Sequence, residues 1–129
     1  MKTKQLFRIS LAAVAVVALI FSCKYEDVLP LEPDPGIQIS FSQDIIPIFN
    51  SSCNTSGCHN GAGPSPDLRS TVAYSSLWDG GLIDTANVEN SELYRWMNGD
   101  EGLPMPVTGK NSSYVATVKL WIEQGAKNN

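Results

Sequence analysis

The chain has 129 residues, thirteen acidic side chains against nine basic ones, a single histidine and three cysteines. That length suits one domain and is too short for two. The acidic balance offers no basic patch of the kind that neutralises phosphates, which disfavours nucleic acid as a partner.

The N-terminal stretch MKTKQLFR carries Lys2, Lys4 and Arg8, and ISLAAVAVVALIF follows it, thirteen uncharged and mostly apolar residues ending at Ser22 and Cys23. A helix needs roughly 20 apolar residues to cross a bilayer, so this run suits a signal h-region better than a transmembrane anchor. Residues 1–22 are read as a signal peptide and the chain as exported. IFSC, with small Ser22 ahead of Cys23, resembles the lipobox of bacterial lipoproteins. That resemblance implies that Cys23 becomes the lipidated first residue of the mature chain. One acyl chain binds membranes only marginally and two or more anchor stably, so a multiply acylated Cys23 implies a lipid membrane as a partner. Lys24 after Cys23, in place of an aspartate, leans toward the outer membrane by analogy with lipoprotein sorting. Glu26 and Asp27 just beyond point to surface export, so the expected place is the cell envelope, periplasm-facing or surface-exposed.

Loss of the leader removes three basic residues and no acidic one, leaving six bases against thirteen acids and a net charge of −7. Such a surface can steer a basic partner. Residues 23–38 form a tether: KYEDVLPLEPDPGIQ holds three prolines and four acids with little periodicity, which favours an extended, self-repelling chain. The folded domain spans 39–129. A chain of that size buries a modest core and often needs a disulfide, metal or cofactor to staple it.

Three or four short helices follow. In FSQDIIPIFNSSC, Ser42 or Asp44 can cap a helix with Ile45, Ile48 and Phe49 on one side, and Pro47 is tolerated only near its first turn. Ser70 can cap TVAYSSLW, which Gly80 and Gly81 stop, and Ser91 can cap ELYRWMN, which Gly99 stops. From Ser112 or Ser113, YVATVKLWIEQ places Val115, Val118 and Ile122 at helical spacing beside Tyr114 and Trp121, and Gly125 ends it. No strand-like alternation of useful length and no internal repeat appears, so the expected class is all-α.

The first helix leads into SSCNTSGCHN, which holds Cys53, Cys58 and the only histidine, His59. Four chemistries compete for it. A Cys53–Cys58 disulfide is easy in an exported protein but gives His59 no task. A structural zinc site needs four ligands, with Asp67 a candidate for the fourth. A catalytic Cys/His pair lacks a third group to orient it, and no paired carboxylates or phosphate loop suggest an enzyme. Covalent haem uses all three residues, with two thioethers to the thiols and iron on the histidine.

Haem attachment ordinarily places two residues between the cysteines, and here there are four. Thiols at i and i+5 lie about 140° apart on an ideal helix of ~3.6 residues per turn, so residues 54–57 must leave helical geometry and loop outward. Asn54, Thr55, Ser56 and Gly57 are small, turn-prone residues, and Gly57 is free to take a positive φ. Pro64 or Pro66 can turn the chain so that a backbone carbonyl accepts from the second ring nitrogen of His59. For a sixth ligand the choice is Met97 or Met105. Met105 sits between Pro104 and Pro106 in a stiff non-helical loop, whereas Met97 lies on a helix where a methionine ordinarily fills core.

FSQDIIPIFNSSCNTSGCHN, PDLRS, SELYRWMNG, LPMPVTG and VKLWIEQGA together, in that order, resemble the monohaem cytochrome c domains of lipoproteins from Bacteroidetes and of planctomycete-type cytochromes. The resemblance covers roughly residues 39–127. It implies a small cytochrome c-like bundle of three to five short helices around one covalent haem c, in which the first and last helices cross. It implies Cys53 and Cys58 as thioether attachment points, His59 as proximal ligand and Met105 as distal ligand. Phe49, Leu68, Tyr94, Leu103 and Trp121 would wall the haem or simply fill the core. The function implied is electron transfer between a redox protein donor and acceptor. The alternatives are a haem sensor or peroxidase-like domain, should Met105 not ligate, and a non-redox surface lipoprotein with a Cys53–Cys58 disulfide.

Overall fold

The computed structural model describes residue 34 and residues 36–129. The signal peptide, Cys23 and most of the tether lie outside the described residues. Among the described residues the chain is helical with no strand, in keeping with the all-α expectation.

Ser40 opens the first helix, two residues ahead of the nearer expected cap. Its hydroxyl accepts from the Gln43 amide at 3.2 Å, while Asp44 Oδ2 accepts from the Ser40 amide at 2.7 Å. Asp44 is thus the reciprocal half of the cap, and Ser42 instead donates its amide to the carbonyl of Asn129 at 2.8 Å. A wide π-helical turn, Phe41–Ile45, passes into α1, Ile46–Ser52. Pro47 falls at the start of α1, where a missing N–H costs least.

α2, Ala73–Asp79, starts later than Ser70 suggests. The carbonyl of Arg69 takes the amides of Val72 and Ala73 at 3.0 and 2.8 Å, so the first turn is satisfied without a side-chain cap. A 3-10 turn, Val88–Asn90, precedes α3, Glu92–Asn98, which ends on Gly99 at φ 88°. Ser91 stands at the start of α3 but does not cap it: its hydroxyl accepts from the Asp84 amide at 2.8 Å and donates to the Asp84 carbonyl at 3.1 Å. α4, Ser112–Glu123, is capped by Asn111, whose Oδ1 accepts from the amides of Ser113 and Tyr114, both at 3.1 Å.

α4 packs against both the π turn and α3. Trp121, Phe49, Ile45, Leu77, Ile122 and Val118 are fully buried between them. The Phe41 ring lies 5.2 Å from that of Trp121 and 5.3 Å from that of Tyr74, the spacing of a packed aromatic cluster. Gln124 joins the two ends of the domain, accepting from the Ile39 amide and donating to the Ile37 carbonyl, both at 2.8 Å. Among the described residues no helix is long and apolar enough to cross a membrane.

Candidate functional site

Cys53 closes α1, its amide donating to the Phe49 carbonyl at 2.9 Å. Residues 54–57 then leave the helix, as the four-residue spacing requires. Gly57 takes φ 80°, a left-handed conformation that glycine reaches without steric penalty. Asn54 pins this bulge by donating from Nδ2 to Asn50 Oδ1 at 2.7 Å and to the Leu68 carbonyl at 3.1 Å. The amide of His59 donates to the Cys53 carbonyl at 3.0 Å and closes the loop on itself. The bulge thus absorbs the extra residues and returns Cys58 and His59 to the end of α1.

His59 is oriented from behind. Its Nδ1 lies 3.1 Å from the carbonyl oxygen of Pro64 and 3.1 Å from that of Pro66. Carbonyls only accept, so Nδ1 carries the proton and, in the neutral ring, Nε2 keeps the free lone pair. The sequence suggested a backbone carbonyl brought round by a turn at one of the two prolines; both prolines supply their own. The intervening loop is folded tightly enough that a Cβ on Gly63 would collide with the Cys58 carbonyl, a requirement for glycine that only the tertiary path reveals. The amide of Leu68 donates to the His59 carbonyl at 2.8 Å and fixes the loop's exit.

Both thiols are free. Cys53 is buried, and that burial, followed by the nearness of Cys58, pushes its thiol up to about 11. Cys58 is half-buried and receives the Thr55 hydroxyl at 3.4 Å. Among the described residues no hydrogen bond joins His59 to either thiol, and no set of three His, Cys, Asp or Glu side chains is placed to hold a metal ion. Asp67, the candidate fourth zinc ligand, is instead gripped by Arg69 at 2.6 Å; the hydrogen bond from Arg69 holds its carboxyl below the usual range.

Cys53, Cys58 and His59 all line a cavity of about 490 Å³. This is the size of a small-molecule or cofactor site. Its lining also includes Leu82 and, from α3, Leu93, Trp96 and Met97; Met105 and Val107 come from the loop between α3 and α4. Of the five residues expected either to wall a haem or to fill core, only Leu68 borders the cavity. Phe49, Tyr94 and Trp121 are core, and Leu103 is 75 % exposed. Leu93, Trp96 and Met97 recur at i, i+3 and i+4, so the wall of α3 was legible in principle as one helical face. Leu82 lies in a loop and carried no such signal.

Both candidate methionines border the cavity, in different settings. Met97 is buried in the core at 2 % exposure. Met105 is half-buried, and its amide donates to the Trp96 carbonyl at 3.0 Å, tying the proline-flanked loop to the end of α3.

No protein-family model, no curated protein and no solved structure matches the chain.

Proposed function

We propose that the chain is a membrane-anchored monohaem c-type cytochrome that carries electrons and is not itself an enzyme. The observation that carries this is His59, oriented by two carbonyls through Nδ1 with Nε2 left to bind, beside two free thiols on the wall of one apolar cavity. A disulfide would leave that orientation without purpose, and a zinc site lacks further ligands among the described residues.

The donor set fits one covalent haem c. Cys53 and Cys58 would hold it through thioethers, and His59 and Met105 would bind its iron. The group supplies reversible one-electron exchange at iron. The chain's own work is to bind and shield. The carbonyls of Pro64 and Pro66 fix the histidine's tautomer, and a hydrogen-bonded second nitrogen raises the basicity of the ligating one. Leu68, Leu82 and Leu93 give the cavity an apolar wall. The proline-flanked loop brings a thioether without ordering a long segment at each cycle. On this proposal Cys23 carries the lipid, and the partners are a redox donor and acceptor at the face of an envelope membrane, the outer one favoured.

Expression in cells that mature c-type cytochromes tests it. The expected result is a band that keeps its colour and a haem peroxidase stain on a denaturing gel, lost when Cys53 and Cys58 are both replaced by Ala. A colourless band from such cells ends the cytochrome proposal.

A further inference from the structure

We propose that Ser76, on α2, is a positioning residue for His59 and acts through the peptide unit between Pro66 and Asp67. That His59 ligates iron rests on the cytochrome proposal; that Ser76 holds its ring does not.

That peptide unit is engaged at both poles. Its carbonyl oxygen lies 3.1 Å from His59 Nδ1, and its N–H donates to Ser76 Oγ at 2.9 Å. A trans peptide is planar, with its C=O and N–H pointing in opposite directions, so a bond at one pole fixes the aim of the other. Turning the plane away from Ser76 also turns the carbonyl away from His59. The two bonds run in one sense, from Nδ1–H to the carbonyl and from the amide N–H to the hydroxyl, and bonds aligned in this way polarise one another. Ser76 therefore aims this carbonyl and strengthens it as an acceptor.

The other carbonyl behind His59 has no such brace. Pro64 and Ser65 are both exposed, and among the described residues no hydrogen bond holds the Ser65 amide, the far pole of the Pro64 carbonyl's peptide unit. Water competes for Nδ1–H on that side. Pro66 and Asp67 are half-buried, so the Pro66 carbonyl is the acceptor that decides where the ring sits. α2 is a firm base for it. The Ser76 amide donates to the Val72 carbonyl at 2.9 Å, and Ala73 and Leu77 on the same helix are fully buried. A serine in a helix ordinarily turns its hydroxyl back to a carbonyl of the preceding turn, as Ser75 does to Val72 at 3.0 Å. The Ser76 oxygen instead accepts from outside the helix. The ion pair of Asp67 with Arg69 is a separate fastening, since it uses the Asp67 side chain and leaves the amide to Ser76.

His59 is the chain's only histidine, so isotope-labelled histidine gives a single imidazole to follow by NMR. The test reads exchange of its Nδ1 proton with water in the untagged full chain, purified from cells that mature c-type cytochromes, with all variants at one pH. Expected is a protected proton in the parent chain that exchanges roughly fivefold faster in Ser76→Ala, the factor one net hydrogen bond supplies. Ser76→Thr keeps the hydroxyl and should restore the parent rate. Asp67→Ala removes the ion pair but keeps the main-chain amide, so it should leave the rate unchanged, whereas a general loosening of the loop would speed both variants alike. In haem-bearing protein the weaker bond at Nδ1 makes His59 a less basic ligand, so Ser76→Ala should also raise the reduction potential and Ser76→Thr should return it. An unprotected proton in the parent, the parent rate in Ser76→Ala, no rescue by Ser76→Thr, or equal acceleration in Asp67→Ala overturns the proposal. Haem staining of the same samples reads the carrier function separately. Stained protein indifferent to Ser76→Ala loses the positioning role alone, and unstained protein whose Nδ1 proton depends on the Ser76 hydroxyl loses the carrier function alone.

Discussion

Two methionines border one cavity, and what surrounds each assigns its part. Met97 is packed among core side chains at 2 % exposure, so truncating it leaves a hole. Met105 is half-buried on a loop whose shape comes from Pro104, Pro106 and the bond to the Trp96 carbonyl. Met97→Ala should cost about 2–5 kcal/mol of stability and leave the ligand field of a bound haem intact. Met105→Ala should cost far less in stability and abolish the weak ferric absorption at the red end of the visible spectrum that marks sulfur ligation. Thermal melts and visible spectra of the two variants, read together, check this, and persistence of the band in Met105→Ala moves the ligand to Met97. At this scale much was legible: the bulge at Asn54 to Gly57, a backbone carbonyl behind His59 and the non-helical path of the Met105 loop all follow from residue type and local spacing, though which carbonyls serve His59 does not. Gly63 was not legible, because its need for a missing Cβ arises only when the loop folds back on the Cys58 carbonyl.

Helix starts show where local rules give way to tertiary ones. Ser91 sits at the position the sequence assigns to a cap, yet its hydroxyl serves Asp84 on the preceding loop in both directions and is 1 % exposed. A cap lost to Ala costs ~1 kcal/mol, whereas a buried donor and acceptor left unpaired cost about 1–3 kcal/mol. Ser91→Ala should therefore destabilise more than Asn111→Ala, although Asn111 is the true cap of α4. Denaturant midpoints of the two variants at unchanged slope test the order, and a larger loss for Asn111→Ala would return Ser91 to the role of a minor local cap. The helices themselves were legible from apolar spacing and glycine stops. Their first residues were not, since Arg69 lends a backbone carbonyl to α2 and Asn129 lends one to the π turn, contacts that span the fold. The cavity wall divides along the same line: the α3 face could be read from periodicity, while Leu82 arrives by tertiary packing alone.

Across the whole molecule, the end of the tether and the cavity are handled by separate sets of residues. Ile37 and Ile39 are tied to Gln124 just past α4, Phe41 accompanies them through its amide to Asn129 Oδ1 at 2.8 Å, and none of these residues borders the cavity. On the proposed lipid anchoring, a pull on residues 23–38 would load this clamp and the aromatic cluster behind it rather than the loop from Cys53 to His59. Gln124→Ala should unfasten the Ile39 amide, which belongs to a residue only 6 % exposed, at a cost of about 1–3 kcal/mol. For a domain of this size each kcal/mol lowers the melting temperature by roughly 4–8 °C. The visible spectrum should stay as in the parent chain, because Cys53, His59 and Met105 do not depend on the clamp for a hydrogen bond. A fall in melting temperature with an unchanged spectrum would establish that the clamp and the cavity are mechanically separate. A spectral change in Gln124→Ala would show instead that tension on the tether reaches the site, through α4 and its contact with α3.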